Sequence, residues 1–257
     1  MIAPMSLVPE WLVRIPIAHR GLHNAAHGVI ENSLPAFRAA SRAGYPAELD
    51  VRLLADGEIV VFHDRDLDRL TRAKGPISAL TSRDLAGVVL SGATTGEAHI
   101  PLLRDVLDVI AGSTPLLIEV KNEGDVGELE ERTMALLASY RGAYAVQSFH
   151  PGTVRYWRDH APATPRGLLS GDFRDEKIDE AMRTRLRNME SIEECEPDFI
   201  GYDIRLLPND MVARAVARGI PLLGWTARNV SEAERALVNC DNIIFEGFDA
   251  TKLRTKK

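Results

Sequence analysis

The sequence lacks the features that mark several large classes of protein. Its two cysteines, Cys195 and Cys240, are too few for a disulfide framework and do not have the spacing of a zinc site. It contains no run of about 18 apolar residues, so we expect no membrane insertion. Pro4, Pro9 and Glu10 interrupt the first residues, which have no basic segment followed by an apolar stretch. We therefore expect no signal peptide and a cytoplasmic location.

The sequence also has no excess of basic residues. Its net charge of -6 provides no general attraction to nucleic acid or to an anionic membrane, so we expect no nucleic-acid partner. An anionic substrate must instead be held by a local cluster of cations or by a metal. The sequence has no glycine-rich phosphate loop, no Gly-x-Ser-x-Gly turn and no Cys-His pair, so it offers none of the usual protein nucleophiles.

What the sequence does contain is an alternation of short apolar runs with amphipathic stretches over its 257 residues. The runs predict strands at Ile15–His19, Pro46–Val51, Pro115–Lys121, Ala143–Ser148, Arg166–Ser170, Asp198–Asp203, Pro221–Thr226 and Asn242–Phe245. The stretches predict helices at Ser33–Ala43, Leu102–Ile110, Gly127–Tyr140, Pro151–Asp159, Glu176–Asn188, Pro208–Arg218 and Ser231–Val238. Because no linker or change of composition interrupts this pattern, it predicts one TIM (β/α)8 barrel, a single catalytic domain over residues 1–257.

One segment departs from the alternation. Asp56-Gly57 lies between two strand-like runs and predicts a hairpin. With a two-residue turn, Asp50 would face His63 across the hairpin. The return strand would bring the chain back to the carboxyl-terminal rim of the barrel. The residues from Arg65 to about Ile100 have few strong elements and predict a small insertion over the barrel mouth; an ordinary barrel strand pair is the alternative.

Carboxylates concentrate at two of the predicted strand ends. Glu48 and Asp50 are two residues apart in one strand, so both side chains point to the same face. Glu119, near the end of the next barrel strand, brings a third carboxylate. Such a group is costly to desolvate without a cation, and its oxygen ligands favour one divalent Mg²⁺ or Ca²⁺. The competing explanation is a cluster of ion pairs with basic neighbours, namely Arg20, Arg52 and Lys121.

Two histidines occupy the other chemically interesting positions. His19 is the last residue of the first predicted strand, and His63 follows the hairpin. A histidine at a strand end is often only a hydrogen-bonded structural residue, but the ordinary pKa of this side chain suits a general acid or base. Arg20 and Lys121 would hold the oxygens of a phosphate between the histidines, one as a fork and the other as a point charge.

These residues belong to an ordered series of motifs. The series is His19-Arg20-Gly21, Ile30-Glu31-Asn32-Ser33, Glu48-Leu49-Asp50-Val51, Asp56-Gly57, Val60-Val61-Phe62-His63-Asp64, Ile100-Pro101-Leu102, Ile118-Glu119-Val120-Lys121, Gln147-Ser148-Phe149 and Gly224-Trp225-Thr226. It resembles the signature of the glycerophosphodiester phosphodiesterases over nearly the whole chain. Where that family usually has Pro-Glu-Asn-Thr, this chain has Ile30 to Ser33, and Ser33 can still cap a helix.

The resemblance implies a TIM barrel with a small insertion, a divalent metal on the three carboxylates, and an acid/base pair formed by His19 and His63. It also implies a reaction in which the neighbouring glycerol hydroxyl attacks phosphorus and expels the alcohol. Water then opens the resulting cyclic phosphate to glycerol 3-phosphate. Trp225, at a strand end, would pack against the glycerol or form part of the rim core.

Three alternatives stay open at this point. A lysophospholipase D or sphingomyelinase D-like enzyme would apply the same chemistry to lipids. A non-catalytic phosphodiester-binding protein and a metal-dependent sugar-phosphate isomerase would use the same fold for other purposes. The expected partner is a small-molecule glycerophosphodiester. The residues fix neither its alcohol (choline, ethanolamine, glycerol or inositol) nor the oligomeric state.

Overall fold

A computed structural model of the protein describes residues 8–94, 96–122, 124–174 and 178–253. Its strands are β1 Ile17–Ala18, β2 Ala47–Leu53, β3 Ile59–Val61, β4 Leu116–Val120, β5 Tyr144–Ser148, β6 Arg166–Ser170, β7 Phe199–Asp203, β8 Leu222–Ala227 and β9 Asn242–Phe245. They are ordered β1-β9-β8-β7-β6-β5-β4-β2-β3, and β1 also pairs with β2. The hydrogen bonding thus returns to the first strand, and the predicted TIM barrel is confirmed.

Helices alternate with the strands as the sequence predicts. They are α1 Glu10–Arg14, α2 Leu34–Ala43, α3 Ser82–Leu85, α4 Leu103–Ile110, α5 Glu128–Leu137, α6 Pro151–His160, α7 Glu180–Arg187, α8 Ile192–Cys195, α9 Asp210–Ala217 and α10 Val230–Ala236. The short helices α1, α3 and α8 had no counterpart in the sequence prediction. The predicted start of α7 at Glu176 lies outside the described residues.

The chain consists of two units, Ala18–Tyr144 and a second one made of Met1–Ile17 with Ala145–Lys257. In the first unit, β2 pairs in parallel with β4, and both strands are almost entirely buried. Helix α2 begins because the Ser33 side chain accepts a hydrogen bond from the Ala36 amide, and it ends at Gly44, whose φ is 75°. The buried side chains of this helix, among them Phe37, belong to the apolar core of the unit.

The hairpin between β2 and β3 has a register that differs by one residue from the predicted one. Val51 pairs with Val61 and Leu53 with Ile59, so Asp50 lies opposite Phe62 rather than His63. The turn contains three residues, because the Leu54 amide donates to the Glu58 carbonyl. Gly57, with φ of 80°, provides the left-handed residue that closes such a turn.

The segment between β3 and α4 has its own apolar contacts. A buried cluster joins it to the hairpin; its members are Ile30, Leu54, Val60, Phe62, Leu67, Ile77, Leu85, Leu90, Ile100 and Leu102. A short 3-10 helix, Ile77–Ala79, and α3 are its helical elements. These contacts fix the segment on the first unit.

The second unit contains the parallel pairs β6–β7, β7–β8 and β8–β9. Trp157 and Tyr202 are its largest fully buried side chains. Cys195 and Cys240 are both buried in this unit. Of the helices in the described part of the chain, none has both the length and the apolar character needed to cross a membrane.

Candidate active site

The three predicted carboxylates lie together in the first unit. Glu48 and Asp50 project from β2, and Asp50 pairs in register with Glu119 of β4. Each of the three offers an oxygen within 4.8 Å of the others, and all three residues are buried. The neighbouring parallel strands and the two-residue periodicity of β2 therefore produce this cluster directly.

Arg20, Asn32 and Lys121 bind carboxylate oxygens of the cluster. The Arg20 amide donates to Glu48 Oε2 at 2.8 Å, and Asn32 Nδ2 donates to Asp50 Oδ2 at 2.7 Å. Lys121 Nζ lies 3.2 Å from Asp50 Oδ1 and also donates to Glu119. The Arg20 side chain also reaches the cluster, with its Nε 3.6 Å from Asp50 Oδ2, so the ion pairs of the competing explanation exist for Arg20 and Lys121.

Arg52, the third basic residue in that explanation, binds the backbone at the end of the hairpin. Its guanidinium donates to the His63 carbonyl oxygen, from Nε at 2.9 Å and from Nη2 at 2.7 Å. This contact ties the end of the hairpin to β2. It supports the backbone of His63.

The ion pairs leave the carboxylate cluster incompletely compensated. Glu48 Oε1 is buried and has no hydrogen-bond partner among the described residues. Burial, the charge of Asp50 and the charge of Glu119 raise the pKa of Glu48 well above its ordinary value. A buried carboxylate oxygen facing two further carboxylates is what a hard divalent cation binds, so the residues fit such an ion.

A tight turn after β1 brings Arg20 to the cluster. Arg20 and Gly21 have φ of 53° and 75°, and the Gly21 amide donates to the Glu48 carbonyl at 3.0 Å. A Cβ on Gly21 would lie 2.9 Å from the backbone of Ala36, so this position requires glycine. The turn aims both the amide and the side chain of Arg20 at the carboxylates.

The two predicted histidines, His19 and His63, lie near the carboxylate cluster. His19 directly follows β1, where Ala18 pairs with Ala47, and His63 lies two residues beyond β3. Burial alone would raise the pKa of Asp50, but the charge of Lys121, followed by smaller effects of His63, Arg20 and His19, lowers it. The arrangement therefore places two groups that can carry a proton beside a buried anionic cluster.

Sequence reasoning missed several residues around these groups. Glu31 and Asn32 lie within a motif that it interpreted mainly as a helix cap, yet Asn32 donates to Asp50 and Glu31 accepts from Arg20. Asp64 Oδ1 lies 2.7 Å from His63 Nδ1. The only signal for Asp64 was its position next to a histidine, and the sequence contains no signal that pairs Glu31 with Arg20.

Trp225 belongs to the second unit, within β8. Its side chain is partly exposed and packs edge-on against Phe149, with ring centroids 5.5 Å apart. Phe149 packs in the same way against Phe173 at 5.7 Å. Trp225 is thus part of an aromatic cluster of this unit, and its predicted contact with substrate stays a prediction.

A TIM barrel with a buried carboxylate cluster and two histidines at its strand ends has the arrangement of a barrel enzyme, in which the active site lies at this rim. The model of the Glycerophosphoryl diester phosphodiesterase family matches residues 19–248, so the chain belongs to this family and is an enzyme that hydrolyses phosphoric diesters. A glycerophosphodiester phosphodiesterase of Caldanaerobacter subterraneus is 27% identical over 239 residues, which cover 89% of this chain and 92% of the relative. One from Bacillus subtilis is 24% identical over 265 residues, 92% of this chain and 86% of the relative.

Solved structures show the same fold. A phosphodiesterase of Oleispira antarctica, in complex with its product sn-glycerol-3-phosphate, has a TM-score of 0.74 and 23% identity, and the match covers 90% of this chain and 93% of that one. A glycerophosphodiester phosphodiesterase of Thermotoga maritima has a TM-score of 0.68 and 23% identity, with coverage of 90% and 94%.

Proposed function

We propose that this enzyme cleaves water-soluble glycerophosphodiesters to sn-glycerol 3-phosphate and an alcohol, in a reaction that depends on one divalent metal ion and two histidines. The observation that carries the proposal is the buried group of Glu48, Asp50 and Glu119, with an uncompensated oxygen on Glu48, beside His19 and His63. The named activity of the relatives and the product bound by the Oleispira enzyme support the choice of substrate. The catalytic domain proposed for this reaction comprises residues 1–257, with an insertion at about 65–100.

Glu48, Asp50 and Glu119 would hold the metal, either Mg²⁺ or Ca²⁺. When bound, the ion supplies positive charge that stabilises the negative charge developing on the phosphate. Arg20 and Lys121 lie at the edge of the carboxylate cluster and add two cations there. They would bind non-bridging phosphate oxygens, and Trp225 is the proposed apolar contact for the glycerol.

The two histidines would move the protons. One accepts the proton of the glycerol hydroxyl next to the phosphate as that oxygen bonds to phosphorus. The other donates a proton to the alcohol oxygen as its bond to phosphorus breaks. In the second stage water adds to the cyclic phosphate, the roles of the two histidines are reversed, and glycerol 3-phosphate is released. The substrate provides the nucleophile, which accounts for the lack of a protein nucleophile.

The purified enzyme is expected to release glycerol 3-phosphate from a panel of diesters carrying choline, ethanolamine, glycerol or inositol. Chelator should abolish the release, and added Mg²⁺ or Ca²⁺ should restore it, because the buried carboxylates need a cation. A coupled assay for glycerol 3-phosphate measures both effects. Release that chelator leaves unchanged would remove the metal from the proposal. Release from lysolipids alone would replace the soluble substrates with lipid ones.

A substrate without the neighbouring hydroxyl is expected not to be cleaved. The deoxy analogue of the best diester in the panel keeps its phosphate and alcohol, and it lacks only the internal nucleophile. Phosphorus NMR of the parent reaction should show the cyclic phosphate as a transient species. Equal rates for the parent and the deoxy analogue would show direct attack by water instead.

A further inference from the structure

One guanidinium outside the proposed site joins two of its supporting carboxylates. Arg69 Nη1 and Nη2 donate to Glu31 at 2.9 and 2.7 Å. Its Nε and Nη2 donate to Asp64 at 2.6 and 3.0 Å. Two edges of one planar fork therefore each bind a carboxylate, which is a geometry that only arginine provides.

The first of these carboxylates holds Arg20. Glu31 Oε1 accepts from Arg20 Nη1 as well as from Arg69, and the Glu31 side chain is only 13% exposed. Burial alone would raise the pKa of Glu31, but the hydrogen bonds and charges of Arg69 and Arg20 lower it to about 2. Glu31 is therefore an anion with a fixed orientation, and Arg20 is oriented by it.

The second carboxylate holds His63. Asp64 Oδ1 lies 2.7 Å from His63 Nδ1 and also accepts from Arg69. Burial opposes its ionisation, but the hydrogen bonds from His63 and Arg69 lower the pKa of Asp64 below its ordinary value. An ionised carboxylate only accepts hydrogen bonds, so His63 Nδ1 must carry a proton. In the neutral ring, Nε2 is then the nitrogen that is free to accept one.

The position of Arg69 is itself fixed. The neighbouring Leu67 and Thr71 are buried, and the Thr71 hydroxyl donates to the Leu67 carbonyl at 2.9 Å. The Leu67 amide donates to the Gly75 carbonyl at 2.9 Å. A hydrogen-bonded, apolar anchor of this kind places the fork accurately between its two acceptors.

We propose that Arg69 is a positioning residue of the reaction, which orients Arg20 through Glu31 and fixes the tautomer of His63 through Asp64. The proposal rests on the proposed function, because it assigns Arg20 and His63 their roles there. It also gives the segment between β3 and α4 a role in the reaction. This segment carries Arg69, which orients both the phosphate-binding Arg20 and the proton-transferring His63.

The chain offers a matched control. Arg38 of α2 forms a bidentate ion pair with Glu97, and this pair also ties the segment between β3 and α4 to the rest of the first unit. The side chains of Arg38 and Glu97 are 37% and 47% exposed, and they bind each other rather than the carboxylate cluster or His63. Arg38→Ala therefore removes a similar link without touching the two positioned groups.

Arg69→Ala is expected to lower kcat by roughly 10- to 100-fold with a smaller change in KM, whereas Arg38→Ala keeps wild-type kinetics. Guanidinium ion should restore part of the lost kcat in Arg69→Ala and none in a variant that lacks His63. Arg69→Lys should recover little, because an ammonium group cannot form both forks. Equal kcat for Arg69→Ala and the control, with only a lower Tm, would overturn the proposal.

A second measurement does not depend on turnover. Nitrogen NMR of histidine-labelled protein reports which ring nitrogen of His63 carries the proton. Wild-type protein and Arg38→Ala should show the Nδ1–H form at high pH, and Arg69→Ala and Arg69→Lys a mixture of both tautomers. Unchanged ring signals in both Arg69 variants would overturn the proposal. Failure of the wild-type enzyme to cleave any diester would instead remove the proposed function, and the tautomer result would still decide the role of Arg69.

Discussion

Replacing either His19 or His63 with alanine is expected to lower kcat by at least about a hundredfold, with the fold unchanged. Each alanine removes one of the two proposed proton carriers beside the carboxylate cluster, and the described site holds no other histidine in an equivalent place. Both side chains are only partly buried, so their loss leaves no large cavity. Release of glycerol 3-phosphate measures the effect, and circular dichroism and Tm measure the fold.

His99→Ala is the matched control for this experiment. His99 is an exposed histidine of the same unit, and its backbone rather than its ring forms the bridge to Val89. It should keep wild-type turnover. If His19→Ala or His63→Ala retained near-normal rates while folded, that residue would lose its acid/base assignment.

The fold and the carboxylate cluster were predictable from the sequence because both follow from local periodicity. The alternation of strands and helices defines the barrel, and the spacing of Glu48 and Asp50 puts two carboxylates on one face of β2. Glu119 joins them because parallel neighbours in a barrel end at the same rim. No knowledge of side-chain contacts is needed for either step.

The hairpin register was not predictable in the same way. Asp-Gly closes both a two-residue turn and a three-residue turn with a bulge, and the two differ by one residue in every pair. The three-residue turn moves the residue opposite Asp50 from His63 to Phe62. His63 reaches the site by a route that the pattern does not encode: Arg52 holds its carbonyl and Asp64 its ring.

Arg69 shows a second limit of the sequence. It lies in a stretch rich in charged residues, Arg65 to Lys74, whose composition indicates only a solvated surface. Glu31 is 38 positions away from Arg69, and no periodicity relates the two. Long-range contacts between charged side chains depend on how the segment packs on the hairpin, which is decided by the buried apolar cluster.

Glu48→Gln is expected to have opposite effects on metal binding and on the stability of the metal-free protein. Loss of one of three carboxylates should abolish binding of Mg²⁺ or Ca²⁺ in calorimetry, and with it the turnover. In chelator, however, the variant should unfold at a higher temperature than the wild type. The amide removes a buried charge that faces Asp50 and Glu119, its oxygen can still accept from the Arg20 amide, and its NH₂ can donate to the carboxylates.

Glu130→Gln is the control, since Glu130 is also fully buried in the first unit but is satisfied. Its carboxylate accepts from the Gly127 amide at 2.9 Å and from Asn122 at 2.8 Å. Its replacement should leave metal affinity unchanged and should not stabilise the protein, because the amide turns an acceptor of one of these bonds into a donor. Unchanged metal affinity in Glu48→Gln would move the metal site elsewhere.

The stability gain of Glu48→Gln is expected to depend on pH with a defined sign. The folded metal-free protein raises the pKa of Glu48, so it binds this proton more tightly than the unfolded chain does. Its free energy of unfolding therefore falls as pH rises from the ordinary glutamate pKa through the raised one. The advantage of the variant should be small near pH 4 and larger at neutral pH, where a gain of about 1 kcal/mol corresponds to roughly 2–4 °C in Tm. A saturating metal ion should reverse the order, because only the wild type gains from binding it.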